Sequence, residues 1–243
     1  MSRLLAVNTS PTAERGRTHR LLELVRGGAE SAGAEVKRVV LRGRKIHPCR
    51  GCLRCWVKHP GRCAQSDDMA GLMDDVLASD IMVIASPVYV DGFCAQAKTF
   101  IDRLIPLIDP HFELVDGHCR HRVRHEKLPA IALVSVCGFS EADNFDLIVE
   151  HTRRMCRNLR TEFAGAVLRP ASRVLTLREK MPERIEPIMQ AAREAGRELA
   201  AEGRVSEQCA RRVAEPVFPK ELYIDGANLF WDRCIARGRF PPD

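Results

Sequence analysis

Short apolar runs alternate with amphipathic segments for most of the chain. Leu4 to Asn8 is a continuous apolar run at the start and reads as a strand covered on both faces. A hydroxyl-rich loop from Thr9 to Thr18 follows, and then Leu21, Leu22, Leu24 and Val25 fall on one helical face. Val36 to Leu41 predicts a second strand, and Asp67 or Asp68 caps a helix that carries Met69, Leu72, Met73, Val76 and Leu77 at helical spacing, its Met residues reading as core filler. Ile81 to Ala85 is the most strand-like run. It ends in Ser86-Pro87-Val88-Tyr89, where Pro87 is expected to stop the ladder, with Gly92 before a helix from Ala95 to Ile105. Pro106 to Pro129 reads as a long irregular surface loop; its His111, His118, Cys119, His121 and His125 lack a metal-ligand rhythm. Ala130 to Val136 is a further strand leading to Cys137-Gly138-Phe139-Ser140, then a helix from Phe145 to Leu159 and a strand from Phe163 to Leu168. A last long helix, Glu183 to Glu202, carries Ile185, Ile188, Met189, Ala192, Ala195 and Leu199 on one face.

This alternation predicts an α/β fold, a doubly wound five-stranded parallel sheet with a C-terminal appendage. The expected organisation is one domain over residues 1–202 and an extension over 203–243 that docks on the body or on a second subunit. That extension gathers Phe218, Leu222, Tyr223, Leu229, Phe230 and Trp231 in a chain poor in aromatics.

The length of 243 residues suffices for a full core, and no apolar run approaches the ~20 residues of a transmembrane helix. The amino terminus has no signal-peptide layout, so the ten cysteines are expected reduced, in a cytoplasmic protein without a membrane. The net charge of +6 reads as arginines spread along solvated helix faces; with 5% aromatic residues it gives no nucleic-acid footprint, and it suits anionic nucleotides.

The chemistry concentrates between Ile46 and Met69, inserted after the second strand. Cys49, Cys52 and Cys55 stand at successive C-x-x-C spacings, and Cys63 follows the Pro60-Gly61 turn. Three thiols on one run with a fourth nearby suit an iron–sulfur cluster better than structural zinc, which draws on separated pairs; reduced thiols lining a pocket are the alternative. The first strand, its polar loop and the following helix N-terminus offer N–H groups and hydroxyls to a phosphate, although neither G-x-G-x-x-G nor a Walker loop occurs.

Ser10-Pro11 with Gly16 and Thr18, the C-x-x-C-x-x-C run followed by Asp67-Asp68-Met69, and Ser86-Pro87-Val88-Tyr89 with Ala97 to Arg103 together resemble the NADPH-dependent FMN reductase family of flavodoxin-like proteins, and within it the iron–sulfur flavoproteins. The likeness covers about the first two thirds of the chain. It implies that Ser10, Pro11, Arg17 and Thr18 hold the FMN phosphate, that Pro87, Val88, Tyr89 and Val90 line the flavin ring, and that Cys137, Gly138 and Phe139 close its other edge. One departure is Gly16-Arg17-Thr18, where the family usually has Gly-Asn-Thr. If a 4Fe-4S cluster is held, the resemblance assigns it to Cys49, Cys52, Cys55 and Cys63. The implied activity is an FMN-dependent oxidoreductase passing electrons from NAD(P)H to a small-molecule or protein acceptor, with no indispensable side-chain acid or base and a homo-oligomeric assembly. Two alternatives stand beside it, an iron–sulfur flavoprotein carrying electrons from a ferredoxin-type donor and a redox-sensing flavin-binding module.

Overall fold

The computed structural model describes residues 1–240. Five parallel strands form its centre: β1 (Arg3–Asn8), β2 (Glu35–Val40), β3 (Ile81–Tyr89), β7 (Ala130–Val136) and β8 (Phe163–Arg169), in the order β2-β1-β3-β7-β8. A two-residue strand β4 (Gly92–Phe93) folds back antiparallel on the end of β3. The predicted doubly wound, flavodoxin-like sheet is thus present, with extra helices at the C-terminal end.

The strands lie between two apolar layers because successive side chains alternate across the sheet. Leu4, Ala6, Ile81 and Val83 face α1 (Arg17–Ser31) and α6 (Pro182–Glu202), whereas Leu5, Val7, Met82 and Ile84 face α3 (Met69–Ala78), α4 (Ala95–Asp102) and α5 (Asp146–Leu159). The buried Met69 and Leu72 fill the second layer as expected of core side chains. α7 (Glu207–Ala214) adds Cys209 and Val213 to the first layer, and α8 (Lys220–Arg237) leaves Leu222, Trp231 and Ile235 exposed.

Two departures from the sequence reading have local causes. Pro87 does not end its strand: it pairs with Val136, and β3 runs on to Tyr89. The backbone of Ala85 faces β1, its carbonyl accepting from Thr9 N at 2.9 Å, and the Ser86 carbonyl faces β7, accepting from Ser135 Oγ at 2.7 Å. Alternation turns Pro87 back to the β1 side, where β1 has already ended at Asn8, so its missing N–H leaves no acceptor unpaired. The second departure is the supposed irregular stretch after Pro106, which forms a hairpin of β5 (Ile108–Val115) and β6 (His118–Val123). Its two-residue turn is Asp116-Gly117 with φ of 48° and 74°, the left-handed pair that a tight hairpin demands. The preceding helix α4 stops at Asp102, and a 3-10 turn from Ile105 to Leu107 carries Pro106 instead.

Candidate functional site

Parallel strands deliver their following loops to one sheet edge, and three such loops come from the neighbours β1, β3 and β7. Ligands of open α/β sheets sit there, outside the carboxyl ends of the strands, where the chain order reverses around β1.

The loop after β1 is tied to itself. Asn8, fully buried, accepts from Ser10 N at 3.0 Å through Oδ1 and donates to the Ala13 carbonyl at 3.2 Å. Ser10 Oγ and Thr12 Oγ1 lie 2.9 Å apart, and Thr9 Oγ1 donates to the Ala85 carbonyl at 2.8 Å. The hydroxyls crowd Gly16, the cap of α1: a Cβ there would stand 2.0 Å from Thr12 Oγ1 and 3.4 Å from Ser10 Oγ. No side chain caps α1, so its first-turn N–H groups, with buried Thr18 among them, keep the donor capacity an anion uses. Pro11 and Arg17 are half-buried beside them. Ser10, Pro11, Arg17 and Thr18 are thus brought together; Thr12 joins them, and the density of hydroxyls from Thr9 to Thr18 was the signal for it.

The loop after β3 is short and strained. Val88 pairs with Phe93 and Tyr89 with Gly92, and the turn between them is made by Val90 and Asp91 at φ of 48° and 59°. A β-branched residue in the left-handed region costs of the order of 1 kcal/mol or more, a cost that collects at ligand-gripping loops. Val90 is fully exposed at the tip, Tyr89 is half-exposed and Pro87 is buried.

The loop after β7 is fastened from outside. Cys137 N donates to the Arg169 carbonyl at 3.2 Å, Ser172 N to the Cys137 carbonyl at 3.0 Å, and Ala171 N to the Phe139 carbonyl at 2.6 Å. From the C-terminal helix α8, Tyr223 Oη donates to the Gly138 carbonyl at 2.5 Å. Arg169 is completely buried and donates to the carbonyls of Pro170, Val213 and Glu215, which binds this edge to the end of α7. Burial pushes the Cys137 thiol up to about 11, so it stands as a packing group and not a nucleophile. Phe139 is 69% exposed, an apolar face turned to the sheet edge rather than into the core.

Cys49, Cys52, Cys55 and Cys63 line one pocket, closed on the body side by Asp102, Arg103, Ile105 and Pro106. All four are free thiols; Cys55 is buried and Cys52 exposed. Burial, then the nearby Cys63, Cys49 and Cys52, raises the Cys55 thiol above its ordinary value, as expected of thiols that share one space. Among the described residues no three His, Cys, Asp or Glu side chains converge closely enough to hold a single metal ion. The base of this loop is locked. Asp67 accepts from Arg103 through both oxygens at 2.7 and 2.9 Å and from the backbone N–H groups of His47 at 2.9 Å and Met69 at 3.1 Å. Arg103 Nη1 also donates to the His47 carbonyl at 2.6 Å, and Asp68 accepts from Lys45 N at 2.8 Å. Burial works against the Asp67 charge, but Arg103 and the two N–H donors outweigh it and hold its pKa at about 2. Arg103 Nε makes no hydrogen bond of its own, while the guanidinium also interacts with the nearby Cys63 sulfur. A cationic donor with spare capacity on a wall shared by four thiols suits an anionic sulfur-rich group, whose acceptors would satisfy it. Sequence reading took Asp67 only as a helix cap and gave Arg103 no role, because their pairing spans 36 positions.

The family model of the NADPH-dependent FMN reductases matches residues 2–161, and the chain belongs to that family. An iron–sulfur flavoprotein of Archaeoglobus fulgidus is 42% identical over 91 residues, which are 37% of this chain and 40% of that protein. One from Methanocaldococcus jannaschii is 31% identical over 105 residues, 43% of this chain and 53% of that protein. The chain thus spans about half the length of these curated relatives. Among solved structures, an FMN-dependent NADH-azoreductase of Bacillus anthracis in complex with FMN superposes with a TM-score of 0.61 at 13% identity, over 82% of this chain and all of that one. The NAD(P)H:quinone oxidoreductase of Methanothermobacter marburgensis gives 0.55 at 16% identity, over 82% and 96%. At these identities the superpositions speak for the fold. No helix among the described residues is long and apolar enough to cross a membrane.

Proposed function

We propose that this chain binds FMN at the common edge of β1, β3 and β7 and works as an oxidoreductase between NAD(P)H and an acceptor. The observation that carries the reading is the β1–α1 junction, where Ser10 and Thr12 hydroxyls, buried Thr18 and an uncapped helix start surround Gly16, whose bare backbone leaves the Thr12 hydroxyl its place. Ser10, Arg17 and Thr18 would hold the phosphate, Pro11 would stiffen the loop, and Pro87, Val88, Tyr89 and Val90 would border one side of the ring. Cys137, Gly138 and Phe139 would border the other. Bound FMN supplies the hydride and single-electron chemistry. The residues bind, orient and exclude water: the self-bonded first loop presents its donors without further ordering, and the Tyr223 and Arg169 contacts fix the third loop against movement.

A second reading is favoured by the four-thiol pocket. In it, Cys49, Cys52, Cys55 and Cys63 ligate a 4Fe-4S cluster, and the protein carries single electrons as an iron–sulfur flavoprotein. The curated relatives named iron–sulfur flavoprotein support it. Anaerobic purification followed by a visible spectrum, with FMN, iron and sulfide assayed on the same sample, separates the two. Flavin with stoichiometric iron and sulfide selects the second, flavin alone the first, and absence of flavin refutes both.

A further inference from the structure

The chain's positive charge is not evenly distributed. Between Arg42 and Ser66 the sequence holds seven Lys and Arg and no Asp or Glu, while all other residues together hold 31 basic and 32 acidic side chains, a net charge of −1. The whole excess therefore sits on the cysteine loop. All seven of these cations are exposed, and no hydrogen bond or ion pair joins any of their side chains to another described residue. This contrasts with the helix faces, where Arg26, Lys98, Arg154 and Arg197 each meet a carboxylate within a turn.

Unpaired cations gathered in one 25-residue segment repel one another, a cost that an opposing acidic surface removes. The patch also has an apolar middle. The short helix α2 (Arg54–Val57) and the residue before it expose Val57 by 77% and Leu53 by 41%, with Arg54 and Lys58 on either side in the chain and Arg62 on the turn that follows. Leu53 is held at φ 50°, in the left-handed region, so its placement at the loop surface is maintained against backbone preference. An apolar centre inside a charged rim is the anatomy of a protein–protein contact. It is a poor nucleic-acid surface, because Trp56, the one Phe, Tyr or Trp of the loop, is spent on packing: its ring lies tilted at 47° against His121 with centroids 4.9 Å apart, and its Nε1 donates to the Ile105 carbonyl at 3.3 Å.

We infer that the outer face of the cysteine loop is the docking surface for an acidic electron-carrier protein. The partner presents carboxylates to Arg54, Lys58 and Arg62 and a small apolar spot to Leu53 and Val57. Cys52 and Leu53, both exposed, also line the thiol pocket, so this surface adjoins it. The carrier assignment rests on the electron-transfer reading above, whereas the docking surface is measurable without it.

Purified full-length protein, with its FMN content recorded, is immobilised, and binding of oxidised plant-type [2Fe–2S] ferredoxin, an acidic carrier, is measured from 20 to 300 mM salt. Basic cytochrome c and a 30-base-pair duplex are run in parallel. The expected result is ferredoxin binding that weakens as salt rises and falls at least ~tenfold in the triple variant Arg54→Glu, Lys58→Glu, Arg62→Glu. A charge-matched control carrying Arg204→Glu, Arg211→Glu and Arg233→Glu, at exposed positions far along the chain, should retain binding. Ferredoxin binding that is absent at low salt, unchanged in the loop variant, or matched by cytochrome c overturns the inference. So does duplex binding tighter than ferredoxin binding and lost in the loop variant, which reassigns the face to nucleic acid. Protein that lacks FMN yet keeps the ferredoxin pattern refutes the flavin reading and leaves the docking surface standing.

Discussion

Replacing Asp67 by Asn tests whether the cysteine loop is held by its base. The side chains of Asp67 and Arg103 are each only 1% exposed, and both carboxylate oxygens are occupied by cationic or N–H donors. Asparagine keeps the shape but brings an NH2 group against donors and leaves the Arg103 charge without its counterion. The carboxylate's pKa drop from 3.8 to about 2 corresponds to ~2 kcal/mol, and stranding one partner of a buried pair costs about 3–5 kcal/mol. A loss of about 3 kcal/mol is the expectation. With unfolding entropy near 2 cal/mol/K per residue, this lowers the melting temperature by roughly 6 °C at pH 7. Because the folded state holds the ionised carboxylate more tightly than the unfolded state does, Asp67 stabilises fully above pH 3.8, and its contribution fades as pH falls to about 2. Thermal unfolding followed by circular dichroism under reductant, from pH 7 downward, should therefore show the wild type and Asp67→Asn curves converging in acid. A variant melting within 1 °C of wild type at pH 7, or a gap that stays constant down to pH 2, would refute the argument.

Four further outcomes are expected. Gly16→Ala drives a methyl into Thr12 Oγ1 and should weaken FMN retention by at least ~tenfold in an equilibrium fluorescence titration. Thr18→Asp places a carboxylate where the phosphate is expected and should abolish retention in the same assay. Val90→Gly relieves the left-handed turn and should raise stability by roughly 1 kcal/mol in urea unfolding, while loosening the loop proposed to border the flavin. Cys52→Ala should remove iron and spare flavin when both are assayed on one anaerobic preparation; unchanged iron would exclude Cys52 as a ligand.

The parallel five-stranded sheet was legible because the apolar runs at Leu4, Ile81 and Ala130 are uninterrupted and separated by amphipathic segments, a pattern with few alternatives. The hydroxyl-rich junction after the first strand was legible as a polar loop leading into a helix. The hairpin is hard to read although Asp116-Gly117 is a strong local signal, because Pro110 interrupts its first strand and charged and His residues fill most of the second in place of an apolar alternation. Arg103 and Arg169 were invisible for a different reason. Each acts on groups distant in sequence, Asp67 for one and the carbonyls of Val213 and Glu215 for the other, and no local pattern records which cation folds inward. The concentration of charge on residues 42–66 was present in the sequence, but its meaning depended on the exposure and lack of partners that only the fold supplies.

The loop's two ends meet side by side, with Lys45 and His47 bonded to Asp68 and Asp67. The polypeptide therefore leaves the body and returns to it at a single doorway, and whatever lies between can lengthen, shorten or change composition with little entropic consequence for the sheet. In engineering terms the segment is a cartridge. A chain in which residues 48–66 are replaced by a short turn should still assemble the three loops at the carboxyl edge of β1, β3 and β7, and cartridges of other composition could be seated on the same doorway to change which molecules meet that edge.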